Sequence, residues 1–254
     1  MPPLLVVLAL FLVAVIGGAQ NAVAGGGSFF TFPTLLFAGV GSISANATST
    51  VALWPGSVAS AVAFRGELRH ERRLFLVLGA ASLAGGLAGA LLLLHTPQRA
   101  FDALIPWLLL AATLVFAFGP LVTRRLRGHA RPSRSLWPFA LVQLVVAVYG
   151  GYFGGGIGIM MLAAFSAMGM EDLHAMNGLK AVLGALINGV AVVTFLAHRI
   201  VDLPLALLMV AGSILGGYGG ARLSKRVDAK VLRGVVICVG AGLTAYFFWK
   251  TYAP

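Results

Sequence analysis

Apolar runs separated by glycine, proline and clusters of charge divide the chain into segments near residues 4–24, 28–40, 46–64, 74–94 and 102–122. A second series follows near 136–153, 157–170, 175–197, 203–222 and 230–250. Eight of these are long enough to cross a hydrocarbon core of about 30 Å as helices of about 20 residues, whereas 28–40 and 157–170 are short. Between Arg134 and Glu171 lie 36 uncharged residues, about 54 Å of helix at 1.5 Å per residue, too long for one untilted crossing. That stretch has to break, and Gly154-Gly155-Gly156 is the place. Gly25-Gly26-Gly27 breaks the first stretch in the same way.

The two breaks belong to a repeat. Each glycine triplet follows a long apolar segment and precedes a short one. Beyond them, one offset of 131 positions pairs Asn46 with Asn177, Ser82 with Ser213, Gly85-Gly86 with Gly216-Gly217, and Gly89 with Gly220. The chain is rich in glycine, so a single match means little, but an ordered series at one offset does not follow from composition. The predicted fold is an all-α integral membrane protein of two homologous repeats, residues 1–122 and 136–254, joined by a basic linker at 123–135. It has eight long helices and two short ones, the latter half-spanning or re-entrant.

Composition agrees with the pattern. The 254 residues are 59% hydrophobic and 10% charged, with a mean hydropathy of +0.96, whereas a soluble domain carries about 25% charged residues. No charged side chain precedes Arg65. The single cysteine, Cys238, lies in an apolar run and excludes an intrachain disulfide or a cysteine-built zinc site. Ala22-Val23-Ala24 mimics a signal cleavage site, but no Lys or Arg precedes it and the pattern recurs in mid-chain, so the segment reads as structure. Asn46-Ala47-Thr48 matches a glycosylation sequon inside a mostly apolar stretch, a weak match.

The net charge of +11 first suggests a nucleic-acid binder, until the cations are located. Arg124, Arg125, Arg127, Arg131 and Arg134 fill the linker with no acid among them, which places it in the cytoplasm. If each half crosses five times, Arg65, Arg69, Arg72 and Arg73, and Lys225, Arg226 and Lys230, also fall inside and the cation-poor loops 95–101 and 198–202 fall outside; a four-plus-four count would put Lys225, Arg226 and Lys230 outside and ranks second for that reason. An odd number of crossings per half makes the repeats inverted. The expected location is the plasma (inner) membrane, multi-pass, with no nucleic-acid partner.

Short, glycine-interrupted segments at matching places in inverted repeats point to a secondary transporter's binding site. A helix that starts in mid-membrane presents amides without intrahelical partners and the positive end of its dipole, and both suit an anion. Packing alone explains Gly85, Gly86, Gly216 and Gly217. The triplets are assigned to a site, since packing does not require irregular backbone. The expected substrate-binding residues are Asn21, Gly25, Gly26, Gly27, Ser28, Asn46, Thr48, Ser49, Tyr152, Gly154, Gly155, Gly156, Asn177 and Lys180. Thr31, Thr50, Tyr149 and Asn188 are further hydrogen-bonding side chains nearby. Lys180 is the only Lys or Arg between Arg134 and Arg199, and an intramembrane cation is a functional candidate as counter-charge to an anion. The competing assignments are snorkelling to the interface or pairing with Glu171 or Asp172. No pair of histidines is spaced for metal or haem, and His174 is the one placed to carry a proton.

Asn21-Ala22-Val23-Ala24-Gly25-Gly26-Gly27, Asn46-Ala47-Thr48-Ser49, Gly150-Gly151-Tyr152-Phe153-Gly154-Gly155-Gly156-Ile157-Gly158 and Asn177-Gly178-Leu179-Lys180 together resemble the TauE/SafE sulfite-exporter family. The resemblance covers essentially the whole chain. Many relatives carry threonine where this chain has Leu179. The resemblance implies a carrier for small anions, sulfur-containing oxyanions or organosulfonates of the sulfite and sulfoacetate type, working by alternating access. The alternatives are an anion channel and a carrier for small organic carboxylates. The expected partners are the small anionic substrate, a coupling ion (H+ or Na+) and the lipid bilayer. No cofactor, no metal and no enzymatic activity are expected, because no span holds a nucleophile with a base or paired carboxylates.

Overall fold

The computed structural model describes residues 4–23, 26–63, 72–126, 136–170, 172–223 and 229–252. Among them every regular element is an α-helix. The first five are α1 (Leu4–Val23), α2 (Ser28–Phe37), α3 (Ser42–Ala63), α4 (Arg72–His95) and α5 (Gln98–Leu126). The second five are α6 (Trp137–Tyr152), α7 (Ile157–Ala167), α8 (Leu173–Ala197), α9 (Leu203–Leu223) and α10 (Ala229–Tyr252). Each apolar segment of the sequence returns as one helix. Gly25, the cation-bearing stretches 64–71 and 224–228, the linker residues 127–135 and Glu171 lie outside the described residues.

Among the described residues five helices, α1, α4, α5, α8 and α10, are both long and apolar enough to cross a membrane. α3 runs 22 residues, but Ser42, Ser44, Asn46, Thr48, Ser49 and Thr50 make its first half polar. α9 runs 21 residues. α6 has 16 residues, about 24 Å of helix, because the backbone turns at Gly154, where φ is +80°. The short helices α2 and α7 end alike: Val40 N–H bonds to Leu35 O at 3.1 Å and Met170 N–H to Phe165 O at 3.1 Å, the six-to-one closure of a Schellman motif.

The two series of helices interlock. α1 packs on α9 and α4 packs on α6; α3 meets α9 and α4 meets α8; α3 meets α8 and α5 meets α10. Exchanging the first five helices for the last five maps each of these contacts onto another of them or onto itself. The atomic detail follows the same rule. A Cβ at Gly216 would overlap the carbonyl of Val15 in α1, and a Cβ at Gly85 would overlap the carbonyl of Leu144 in α6. Gly85 and Gly216 are therefore packing glycines, as expected: without hydrophobic drive between helices in lipid, close backbone approach supplies the association. A Cβ at Gly86 would likewise crowd the Ile187 backbone. Gly217 differs, for its nearest neighbour, Gly18 O, would lie 3.9 Å from a Cβ.

The interior is aromatic and aliphatic. Phe29 meets Phe116 edge-on with ring centroids 5.5 Å apart, and Phe32 meets Phe153 at 5.6 Å. The outer surface is apolar as well, with Leu12, Trp107, Val145 and Leu207 all exposed. Side chains of this kind suit a surface solvated by lipid tails rather than water.

Candidate functional site

A cavity of about 150 Å³ opens between the end of α1, the starts of α2 and α7, and the middles of α3 and α8, with Phe116 of α5 and Phe153 against it. Its two principal walls are equivalent by the repeat. Ser49, Thr50, Leu53 and Ser57 line it from α3, and Lys180, Ala181, Gly184 and Asn188 line it from α8; each residue of the second set lies 131 positions after its counterpart in the first. Both sets sit midway along their helices, so the cavity lies at mid-depth of the bundle.

Two helix starts converge on it. Gly26 has φ +85° and Gly154 and Gly156 have φ +80°, a region that other residues enter only at a cost, so glycine is what permits both breaks. Gly27 and Gly156 are the N-cap residues of α2 and α7, and neither makes a side-chain capping bond. A helix start leaves its first amides without intrahelical partners and carries the positive end of the dipole. Gly26 and Ser28 of one start, and Gly154, Gly156, Ile157 and Gly158 of the other, line the cavity.

Lys180 supplies the formal charge. Its Nζ donates to Asn177 Oδ1 at 2.9 Å, and its stem crosses Gly158, where a Cβ would lie 3.3 Å from Lys180 Cδ. The missing side chain at Gly158 thus lets the ammonium lie over the start of α7. Asn177 is neutral, so this bond orients the cation without cancelling its charge. On the opposite wall the polar groups are uncharged: Asn21 Nδ2 donates to Ser57 Oγ at 3.3 Å, and the hydroxyls of Thr31 and Ser49 pair at 2.6 Å. Leu53, Phe116, Phe153, Ile157, Met161 and Leu162 complete the lining.

Of the expected site residues, Asn21, Gly26, Ser28, Ser49, Gly154, Gly156, Asn177 and Lys180 line the cavity. Gly27 packs against the Gly17 carbonyl, and Gly155 lies against the Phe153 ring. Asn46, Thr48 and Tyr152 are buried and bonded elsewhere: Asn46 Nδ2 donates to Tyr152 O at 2.9 Å, Asp202 N–H donates to Thr48 Oγ1 at 3.0 Å, and Tyr152 OH donates to Thr96 Oγ1 at 3.3 Å. Gly25 lies outside the described residues. Sequence reasoning missed Ser57 and Phe116. The offset of 131 carries Asn188 onto Ser57 and was the signal available for the serine; nothing in the pattern marks Phe116.

Comparison with known proteins gives this geometry its relatives. The family model described as "Sulfite exporter TauE/SafE" matches residues 10–247. The chain is 30% identical over 238 residues to a protein of Sinorhizobium named probable membrane transporter protein ORF9, spanning 92% of this chain and 89% of that one. It is 27% identical over 249 residues to the probable membrane transporter protein YfcA of Escherichia coli K12, spanning 96% and 90%. It is 29% identical over 240 residues to a probable membrane transporter protein of Haemophilus influenzae, spanning 93% and 92%. No solved structure matches the chain significantly.

Proposed function

The chain belongs to the TauE/SafE sulfite exporter family of membrane transporters, and from that premise we propose that it is a secondary carrier of small anions working by alternating access. The substrate class is sulfur-containing oxyanions or organosulfonates of the sulfite or sulfoacetate type. Its halves, 1–122 and 136–254, are inverted repeats, and the exchange of contacts between the two series of helices supports that reading. The protein sits multi-pass in the plasma (inner) membrane with the basic linker 123–135 in the cytoplasm, in line with its five arginines.

The observation that carries the proposal is the convergence of Lys180 with two helix starts on one cavity at mid-depth. One ammonium and two helix starts lining one low-dielectric site favour a compact anion, because fixed dipoles replace the hydration the anion gives up. Asn21, Ser28, Ser49 and Asn177 surround that centre with donors, and the apolar residues hold the rest of the ligand. Placing the site between equivalent walls lets the halves rock about a fixed substrate.

Counterflow in proteoliposomes tests this. Vesicles loaded with sulfite, thiosulfate, sulfoacetate, taurine or a short carboxylate are diluted, and entry of labelled anion is followed in both orientations. A carrier shows acceleration by internal substrate and a channel does not. Absence of movement of any anion under any gradient would end the transport reading for this class.

A further inference from the structure

Three residues that the repeat and its motifs single out, Asn46, Thr48 and Tyr152, do not line the cavity, yet all are buried and engaged. Along α3, Ser49 to Ser57 face the cavity, and the turns before them make a run of bonds to other elements. Ser42 donates to the carboxylate of Asp102 at the start of α5, and Gln98 Nε2 donates to Ser42 at 2.7 Å. Asn46 holds the last carbonyl of α6, and Thr48 accepts from the turn between α8 and α9. Tyr152 closes the ring through Thr96 in the turn between α4 and α5. Among these bonds Phe101 packs against Tyr152, with centroids 5.7 Å apart, and Phe32 packs against Phe153, which lines the cavity, at 5.6 Å. Ser42 and Ser49 are about 10 Å apart along the helix, so these bonds occupy the two turns of α3 next to its cavity-lining part.

We propose that Asn46, Thr48 and Tyr152 are the latch of a gate, shut in this structure, that closes the cavity toward the face bearing the α4–α5 and α8–α9 turns. The proposal rests on reading the cavity as the transport site. The latch joins pieces of both halves: α3 and the α4–α5 turn belong to the first, and Tyr152 and Asp202 to the second. Relative movement of the halves therefore has to break these bonds before that face opens. Each neutral hydrogen bond contributes modestly, so the latch can be released by substrate binding rather than holding permanently. Asn46 also fixes the end of α6 just before the glycine break, which links the latch to the position of the α7 amides.

The test is side-selective alkylation. In a Cys238→Ser background, Ser57→Cys places a thiol on the cavity wall, and Arg199→Cys in a parallel sample marks the gate face. Right-side-out and inside-out vesicles are treated with a small membrane-impermeant thiosulfonate. With the latch intact, Ser57→Cys reacts slowly from the gate face. Thr48→Val with Tyr152→Phe keeps the bulk of both side chains and removes two bonds, and should speed reaction from that face about tenfold, a factor of a few per bond. Reaction from the opposite face should not rise. Thr48→Ser beside the native Tyr152 keeps both hydroxyls and should keep protection. An unchanged rate, or an equal rise from both faces, would overturn the gate. Alkylation requires no transported substrate, so loss of anion counterflow with retained side selectivity would count against the anion reading alone.

Discussion

The Nζ of Lys180 lies 2.9 Å from Oδ1 of Asn177, one turn earlier on α8, where the two side chains share one wall of a cavity at mid-depth. Lys180→Met keeps an unbranched stem over Gly158 and removes the charge. Transport should fall by about ten- to a hundredfold, the size of a lost hydrogen bond to a charged group. The variant should insert and melt like the parent in detergent. Flux measured beside a thermal melt checks this, and normal transport by Lys180→Met would remove the lysine from the mechanism.

Gly156 has φ +80° at the start of α7, whereas a Cβ at Gly219 in α9 would meet nothing within 4 Å. Gly156→Ala should cost about 1–2 kcal/mol for the left-handed backbone and slow transport by displacing the α7 amides. Gly219→Ala should be neutral or slightly stabilising, since alanine is the better helix former. Chemical denaturation in mild detergent compares the two.

Most helices were legible in the sequence because they are bounded by a feature that chain chemistry makes visible: a glycine triplet, a proline or a cluster of charge. The glycine at 216 was readable as packing because its repeat partner at 85 demands the same explanation. The roles of Asn46 and Asn177 were not equally readable. They stand at equivalent positions 131 apart, but one donates to the carbonyl of Tyr152 and the other accepts from Lys180. Asn177 meets a partner three residues on along its own helix, a spacing the sequence does show, whereas Asn46 meets the end of α6, and periodicity within one segment carries no information about that.

At the α1–α9 contact, Gly216→Ala should destabilise more than any substitution at an open glycine, because the atom it meets is backbone and the helices themselves have to part. The expected loss is about 1–3 kcal/mol, as for overpacking elsewhere. Gly217→Ala, one residue along, should be mild. A pair of thermal melts separates them.

A Cβ at Gly26 would lie 2.6 Å from Cζ of Phe116. Gly26→Ala should therefore impair folding and transport, and Phe116→Leu should recover part of the loss. Recovery is incomplete because φ +85° remains unfavourable for alanine. A double-mutant cycle in melting temperature reads the coupling, and strict additivity would show that the ring is not what the methyl strikes.

Across the centre of the bundle, Trp54 Nε1 donates to Ala185 O at 3.1 Å, joining α3 to α8. Trp54→Phe removes the donor and keeps most of the ring, and should cost about 1 kcal/mol, seen as a lower midpoint with no change in helix content by circular dichroism.

The interlocking of the two series has a consequence for biogenesis. α1 leaves the ribosome first, but α9, the helix it packs on most extensively, is made almost last. α4 must likewise wait for α6. The first half therefore has to remain in the bilayer with its glycine-lined faces uncovered until the second is inserted, and neither half has a complete core of its own. Separately expressed halves would be expected to assemble into one functional unit when produced together and to be cleared by quality-control proteases when produced alone.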